Sequence, residues 1–157
     1  MKLNHEEYMN IALEEAQKAA LSGEVPVGAI LVSETGEILA RGHNLTEIKQ
    51  NCLEHAEIVV LNHAMQTQNT SRLVNTTLYV TLEPCFMCAG AIVHSRISRV
   101  VFGAWDPKGG ACETLANVLQ HEKLNHKCDV ISGVLETECA QVLKSFFKER
   151  RKTKANK

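Results

Sequence analysis

Cys85 and Cys88, three residues apart directly behind Pro84, are the side chains in this sequence most able to do chemistry. Two thiols at that spacing, set at a strand-to-helix turn, point toward one metal ion, and the N-terminal end of a helix favours the thiolate form that ligates. Pro84 suits the junction because it needs no N–H partner and stops the strand. A redox dithiol uses the same spacing but requires no distant histidine. Such a histidine stands in Leu53-Glu54-His55-Ala56-Glu57, at the expected start of a helix. Helical residues two apart are separated by about 200°, so His55 and Glu57 cannot serve one ion as same-face ligands. They divide the work instead: His55 joins Cys85 and Cys88 as the third ligand of one Zn2+, and Glu57 stands by as a non-ligand acid/base. Three protein ligands leave zinc an open position for water, whose pKa falls from about 15.7 to about 7. A neighbouring carboxylate can take the proton from that water and pass it to a ring nitrogen and then to a leaving amine. This chemistry suits removal of an amino group from an aromatic base.

A non-catalytic RNA-binding module that uses zinc only for its structure is the competing reading. Cys52 lies three residues before His55, so Cys52, His55, Cys85 and Cys88 also describe a closed Cys3His site, one that leaves Glu57 without a role. Cys112, Cys128 and Cys139 lack paired spacing and read as small buried hydrophobes. No phosphate-binding G-x-x-x-x-G-K-[ST] or G-x-G-x-x-G is present, and no G-x-S-x-G, so nucleotide-triphosphate binding, dinucleotide binding and serine-hydrolase chemistry lack their usual signals.

The elements that must position these groups follow from periodicity. Tyr8, Ile11, Ala12, Ala16 and Ala19 recur at helical spacing, predicting an amphipathic helix over residues 5–21 that ends at Ser22-Gly23. Val27–Val32 and Ile38–Gly42, joined by Glu34-Thr35-Gly36, read as a hairpin. A largely apolar helix follows His55. Thr77–Thr81 reads as a central strand, Cys85–His94 as a small-residue helix, Arg99–Gly103 and Asp129–Ser132 as further strands, and residues 113–121 as a helix between them. Glu136–Arg151 closes the chain as a helix with Val142, Leu143, Phe146 and Phe147 on its apolar side. An initial hairpin followed by alternating strands and helices predicts an α/β fold, a three-layer α/β/α sandwich around a mixed central sheet of about five strands. The expected organisation is one domain over residues 1–150 with a basic tail over 151–157.

The chain of 157 residues, 45% hydrophobic and 22% charged, has the composition of one ordinary globular domain, which excludes disordered and collagen-like classes. Its longest apolar run, Val25–Val32, contains Pro26 and Gly28 and is far short of the roughly 18 residues a membrane span needs. The first residues show neither a secretory h-region nor a transit-peptide composition, so the expected compartment is the cytoplasm. Charge is uneven. Residues 144–157 set seven Lys and Arg against Glu149 alone, a local +6, which leaves −7 on the remainder of a chain whose net charge is −1. A basic arm on an acidic body points to an anionic partner, nucleic acid being the commonest.

His-x-Glu followed by Pro-Cys-x-x-Cys is the established signature of zinc nucleobase deaminases, whose ligand and proton-carrier roles are known for the class. Longer blocks extend it: Glu24–Ala29, His43-Asn44, His55–Ile58, Tyr79–Ala91, His94–Ile97, Val101–Ala104 and Ser145–Arg151 together resemble the bacterial tRNA-specific adenosine deaminases through most of the chain. The resemblance implies a zinc-dependent homodimer with the cytidine-deaminase-like fold that hydrolyses the wobble adenosine, position 34, of a tRNA anticodon to inosine. It implies zinc on His55, Cys85 and Cys88, one ion per subunit, and a proton shuttle at Glu57. It also implies contacts to the flipped nucleotide and its neighbours from Asn44 and Asp106, a pocket wall at Val27, and phosphate contact at Lys108. The partner implied is the tRNA anticodon stem-loop, with no membrane. The chain departs from the family at Asn51-Cys52-Leu53-Glu54 and at Trp105, both flanking the expected site. A deaminase of free cytidine, cytosine or guanine shares the signature, but it has no need of the cationic ending.

Overall fold

The computed structural model describes residues 2–156. Helix α1 (His5–Leu21) starts in a capping box: the Asn4 side chain accepts the Glu7 N–H at 2.8 Å, and the Glu7 carboxylate accepts the Asn4 N–H at 2.7 Å. Two donors of the first turn that lack helical partners are thereby satisfied. Tyr8, Ala12, Ala16 and Ala19 of the expected stripe are buried together with Met9 and Leu13, whereas Ile11 is only half-buried at its margin. The chain then turns through Gly23 at φ +80°, a left-handed conformation that costs glycine little.

The hairpin of β1 (Gly28–Ser33) and β2 (Ile38–His43) follows, then α2 (Ala56–Gln68), β3 (Thr76–Leu82), α3 (Phe86–His94), β4 (Arg99–Ala104), β5 (Asp129–Ile131) and α4 (Glu136–Ala155). The strands form one five-stranded sheet in the order β2-β1-β3-β4-β5; β1 runs antiparallel to β2 and β3, whereas β3, β4 and β5 are mutually parallel. Alternation of side chains along the strands divides the core in two. Ala29, Leu31, Leu78, Val80, Val100 and Phe102 pack with α2 and α3, while Ile30, Val32, Tyr79 and Val101 pack with the buried face of α1 and Cys139 of α4. The result is the α/β/α sandwich. Gly28 fits α1 tightly against the sheet, since a Cβ there would overlap the carbonyl oxygen of Ala12 and lie 2.5 Å from the Ala16 nitrogen.

Residues 113–121 differ from expectation: they are turns, not a helix. The N–H groups of Cys112, Glu113 and Thr114 are taken by the carboxylate of Glu83, at 3.2, 2.8 and 2.9 Å. The next amides bond too far back for a helix, Leu115 to the Gly110 carbonyl and Val118 to the Ala111 carbonyl. Leu119 and Cys128, buried in the α2/α3 side of the core, hold this wide loop down. Tertiary anchoring overrides a modest helical propensity. At the other end, α4 runs beyond Arg151 to Ala155, so most of the basic ending is helical.

Candidate active site

Two helix N-termini meet at one end of the sheet, beside its central strand β3. His55 is the N-cap residue of α2 and Cys85 that of α3, and neither spends its side chain on capping. The side chains turn toward each other instead: His55 Nδ1 lies 3.6 Å from Cys85 Sγ and 3.6 Å from Cys88 Sγ. A tetrahedral ion about 2.3 Å from sulfur and about 2.0–2.1 Å from nitrogen would set such atoms about 3.6 Å apart, so the three residues fit an N/S metal grip with one position open. They are the sole His/Cys/Asp/Glu group of this kind among the described residues. Cys52 is exposed and outside it, which removes the Cys3His alternative.

The electrostatics favour a thiolate at Cys85 and a thiol at Cys88. The hydrogen bond from Cys88, joined by His55 and opposed by burial, draws the Cys85 thiol down to about 4; the same contact together with burial pushes Cys88 up. Contact with Cys85, supported by the charge of Glu57, raises the His55 imidazole against the effect of burial. Burial raises the carboxyl of Glu57, which sits in the first turn of α2 at 4% exposure.

These groups open into a pocket of about 250 Å3 at the end of the sheet where β3 and β4 finish and β1 begins. His55, Glu57 and Cys85 form one side of it, and Val27, Asn44 and Asp106 form the rest with Val25, Thr46, Leu82 and Glu83. Ligands of parallel sheets are normally met at the carboxyl ends of the strands, as here. Asn44 is nearly buried and is held by its N–H, which donates to the Val27 carbonyl at 3.1 Å. Asp106 Oδ1 accepts the N–H groups of Lys108 and Gly109, at 3.0 and 3.2 Å, closing a turn on the rim. Lys108 itself is exposed and does not line this pocket. It borders a neighbouring groove with Trp105, Lys144, Phe147 and Arg151.

Sequence analysis leaves two buried carboxylates at the pocket rims unassigned. Glu83, 2% exposed, accepts from the N–H of Asp106 at 3.1 Å, from the amides of Cys112, Glu113 and Thr114, and from the Thr114 hydroxyl. Burial raises its carboxyl, but these donors outweigh burial and hold it below its ordinary value. Glu24, fully buried, accepts the N–H groups of Glu47 and Ile48 at 3.0 and 2.9 Å and so tethers the opposite rim. The available signal was an acidic residue flush against an apolar run, Glu83 after β3 and Glu24 before Val25: a charge in such a place needs donors.

Residues 3–151 match the family model described as MafB19-like deaminase, which places the sandwich and its His/Cys/Cys pocket in a deaminase class. The tRNA-specific adenosine deaminase of Bacillus subtilis (strain 168) is 56% identical over 147 residues, 94% of this chain and 91% of that protein. A solved structure from a study of A-to-I editing by tRNA:A34 deaminases at the wobble position of transfer RNA has a TM-score of 0.83 at 44% identity, covering 87% of this chain and 99% of that one. The chain belongs to the family of tRNA-specific adenosine deaminases. The structure of guanine deaminase from Nitrosomonas europaea, with a TM-score of 0.80 at 22% identity over 93% of this chain and 85% of that one, shares the fold alone. The cytidine-deaminase-like architecture therefore does not by itself select the base.

Proposed function

We propose that the protein hydrolyses the wobble adenosine, position 34, of a tRNA anticodon to inosine, releasing ammonia. The observation that carries the reading is the placement of His55 Nδ1 3.6 Å from both thiol sulfurs with buried Glu57 on the same pocket wall, in a chain 56% identical to a tRNA-specific adenosine deaminase. His55, Cys85 and Cys88 hold one zinc per subunit, and when bound the metal supplies a water-derived nucleophile at neutral pH. Glu57 takes a proton from the attacking water, delivers it to the adenine ring nitrogen, and carries the second proton to the departing amine, so that water and adenosine become inosine and ammonia. Val27 and Asn44 wall and orient the flipped base, and Asp106 meets it from the rim. A pocket of about 250 Å3 is sized for a single base rather than a duplex, which requires the target to leave its stack.

Lys108 serves the flanking phosphates. Its groove is continuous in sequence with Asp106 and is shared with Lys144 and Arg151 of α4, which supports a cationic path leading from the pocket onto the basic helix. The catalytic domain spans residues 1–150, with 151–157 as its basic extension. Phe86 is 53% exposed although it opens α3 beside the metal grip, and Leu53 and Ile48 are as exposed in the loop before α2. Such apolar surface flanking the site supports a homodimer. Among the described residues no helix is long and apolar enough to cross a membrane; a tRNA substrate supports a cytoplasmic enzyme.

The decisive experiment incubates zinc-loaded protein separately with tRNA, free adenosine, cytidine and guanine, and measures ammonia and inosine. Product confined to a tRNA with adenosine at the wobble position is expected. Turnover of a free base or nucleoside with none on tRNA refutes the assignment.

A further inference from the structure

The Glu83 carboxylate joins two parts of the pocket that are distant in sequence. It stands two residues before Cys85, at the end of β3, where its own N–H donates to the Ala104 carbonyl at 2.8 Å. Its side chain crosses to the β4–β5 connection and accepts five hydrogen bonds there, from the amides of Asp106, Cys112, Glu113 and Thr114 and from the Thr114 hydroxyl. Every partner but the hydroxyl is an obligate donor, so a neutral glutamine cannot replace it: whichever position receives the NH2 group then faces an N–H. Gly110 is part of the same fit, since a Cβ there would overlap both carboxylate oxygens. The backbone closes the seam as well, with the Ala111 N–H donating to the Pro84 carbonyl at 2.9 Å.

We propose that Glu83 is a positioning residue for substrate: it fixes the rim that carries Asp106 against the turn that carries Cys85, so that the nucleotide is held in register with the metal grip. This rests on the function proposed above and adds to it a determinant that touches neither the ligands nor the proton path. Because Glu83 acts through the rim, its loss weakens binding of the RNA in ground state and transition state alike, which raises KM and spares kcat. A residue needed only for folding would instead lower the active fraction, reducing apparent kcat at unchanged KM.

The test uses the full zinc-loaded chain and an anticodon stem-loop RNA with adenosine at the wobble position. Glu83→Gln is expected to raise KM on the order of tenfold, the loss of one good charge-assisted hydrogen bond, with metal content retained. Thr114→Val, at an exposed position that leaves the core intact, is expected to shift KM the same way by less, and Thr114→Ser to restore it. Amide hydrogen exchange at Asp106, Cys112, Glu113 and Thr114 is expected to accelerate in Glu83→Gln. Exchange requires no turnover, so it decides the anchoring role even if wild-type protein were to leave tRNA untouched. Wild-type exchange at those amides, wild-type KM in both Glu83→Gln and Thr114→Val, or a fall in kcat at constant KM each overturns the proposal.

Discussion

Replacing Glu57 by glutamine separates catalysis from folding, because the two should move in opposite directions. The side chain is 4% exposed and shares the pocket wall with His55 and Cys85, but it is no member of the His55/Cys85/Cys88 group. Glutamine keeps its shape and leaves all three ligand atoms untouched. On the proposed mechanism, what disappears is a carrier that takes up a proton and gives it back. General acid–base catalysis of this sort contributes about 10²–10⁴-fold, or roughly 3–5 kcal/mol of barrier, and the loss should fall in kcat. For folding, the first turn of α2 favours a carboxylate by about 0.3–1 kcal/mol, whereas taking an ionised carboxylate out of water costs on the order of several kcal/mol. The neutral variant is therefore expected to unfold at a urea midpoint equal to or above that of the wild type. Three measurements on one preparation suffice: single-turnover deamination of an anticodon stem-loop, zinc per chain by elemental analysis, and a urea titration. Retention of turnover within tenfold of wild type would refute the argument, and so would loss of zinc in parallel with activity, which would make Glu57 a support for the metal rather than a proton carrier.

Gly28→Ala should destabilise by about 3 kcal/mol or more, since the added methyl meets the backbone of α1 at Ala12 and Ala16 rather than a side chain that can turn away; an unchanged urea midpoint would contradict this. Glu15 is buried between Lys18, Arg41 and His43, with Glu14 also reaching Arg41. Burial raises its carboxyl, but hydrogen bonds from Lys18, His43 and Arg41 outweigh that and hold it below its ordinary value. Its contribution to stability is accordingly present above the unfolded-state pKa and lost as pH falls through the lower folded-state value. Wild-type stability should thus decline more steeply than that of Glu15→Gln as pH drops from about 5 toward 3, and parallel curves would contradict the linkage. Deleting residues 150–157 removes Arg150, Arg151, Lys152, Lys154 and Lys157 beyond the part of α4 that packs on the core through Cys139, Ala140 and Leu143. Binding to the stem-loop should weaken and its log–log salt slope should flatten by about 0.7 for each phosphate the shortened helix no longer neutralises, with folding unaffected; an unchanged slope would remove the ending from the RNA interface.

Where sequence reading succeeds, the signal is local. The stripe from Tyr8 to Ala19 marks α1 because each buried position is set by the same 3.6-residue period, and Asn4 with Glu7 closes its start without help from elsewhere. The strands from Gly28, Thr76 and Arg99 are legible as short apolar runs cut off by turns or by Pro84. The helix expected over 113–121 does not form because the amides beyond Thr114 bond five and seven residues back, Leu115 to Gly110 and Val118 to Ala111, and Leu119 and Cys128 are drawn into a core built from distant segments, which no local period records. The resemblance marks Lys108 as a phosphate contact but says nothing of where it stands; the turn closed by Asp106 Oδ1 sets it in the neighbouring groove.

The residue types and spacings of His55-x-Glu57 and Cys85-x-x-Cys88 by themselves marked the candidate metal grip and its neighbouring acid, because ligand softness and helical angle are properties of the residues and their immediate backbone. Tertiary structure alone decided which sulfurs stand with His55: Cys52 is nearer to it in the chain than Cys85 or Cys88, yet it lies outside the group. It also decided which carboxylates are buried to hold the pocket rims. Both outcomes depend on where the sheet order β2-β1-β3-β4-β5 brings the ends of separate strands, and contacts between distant segments leave no periodic trace in the chain that makes them.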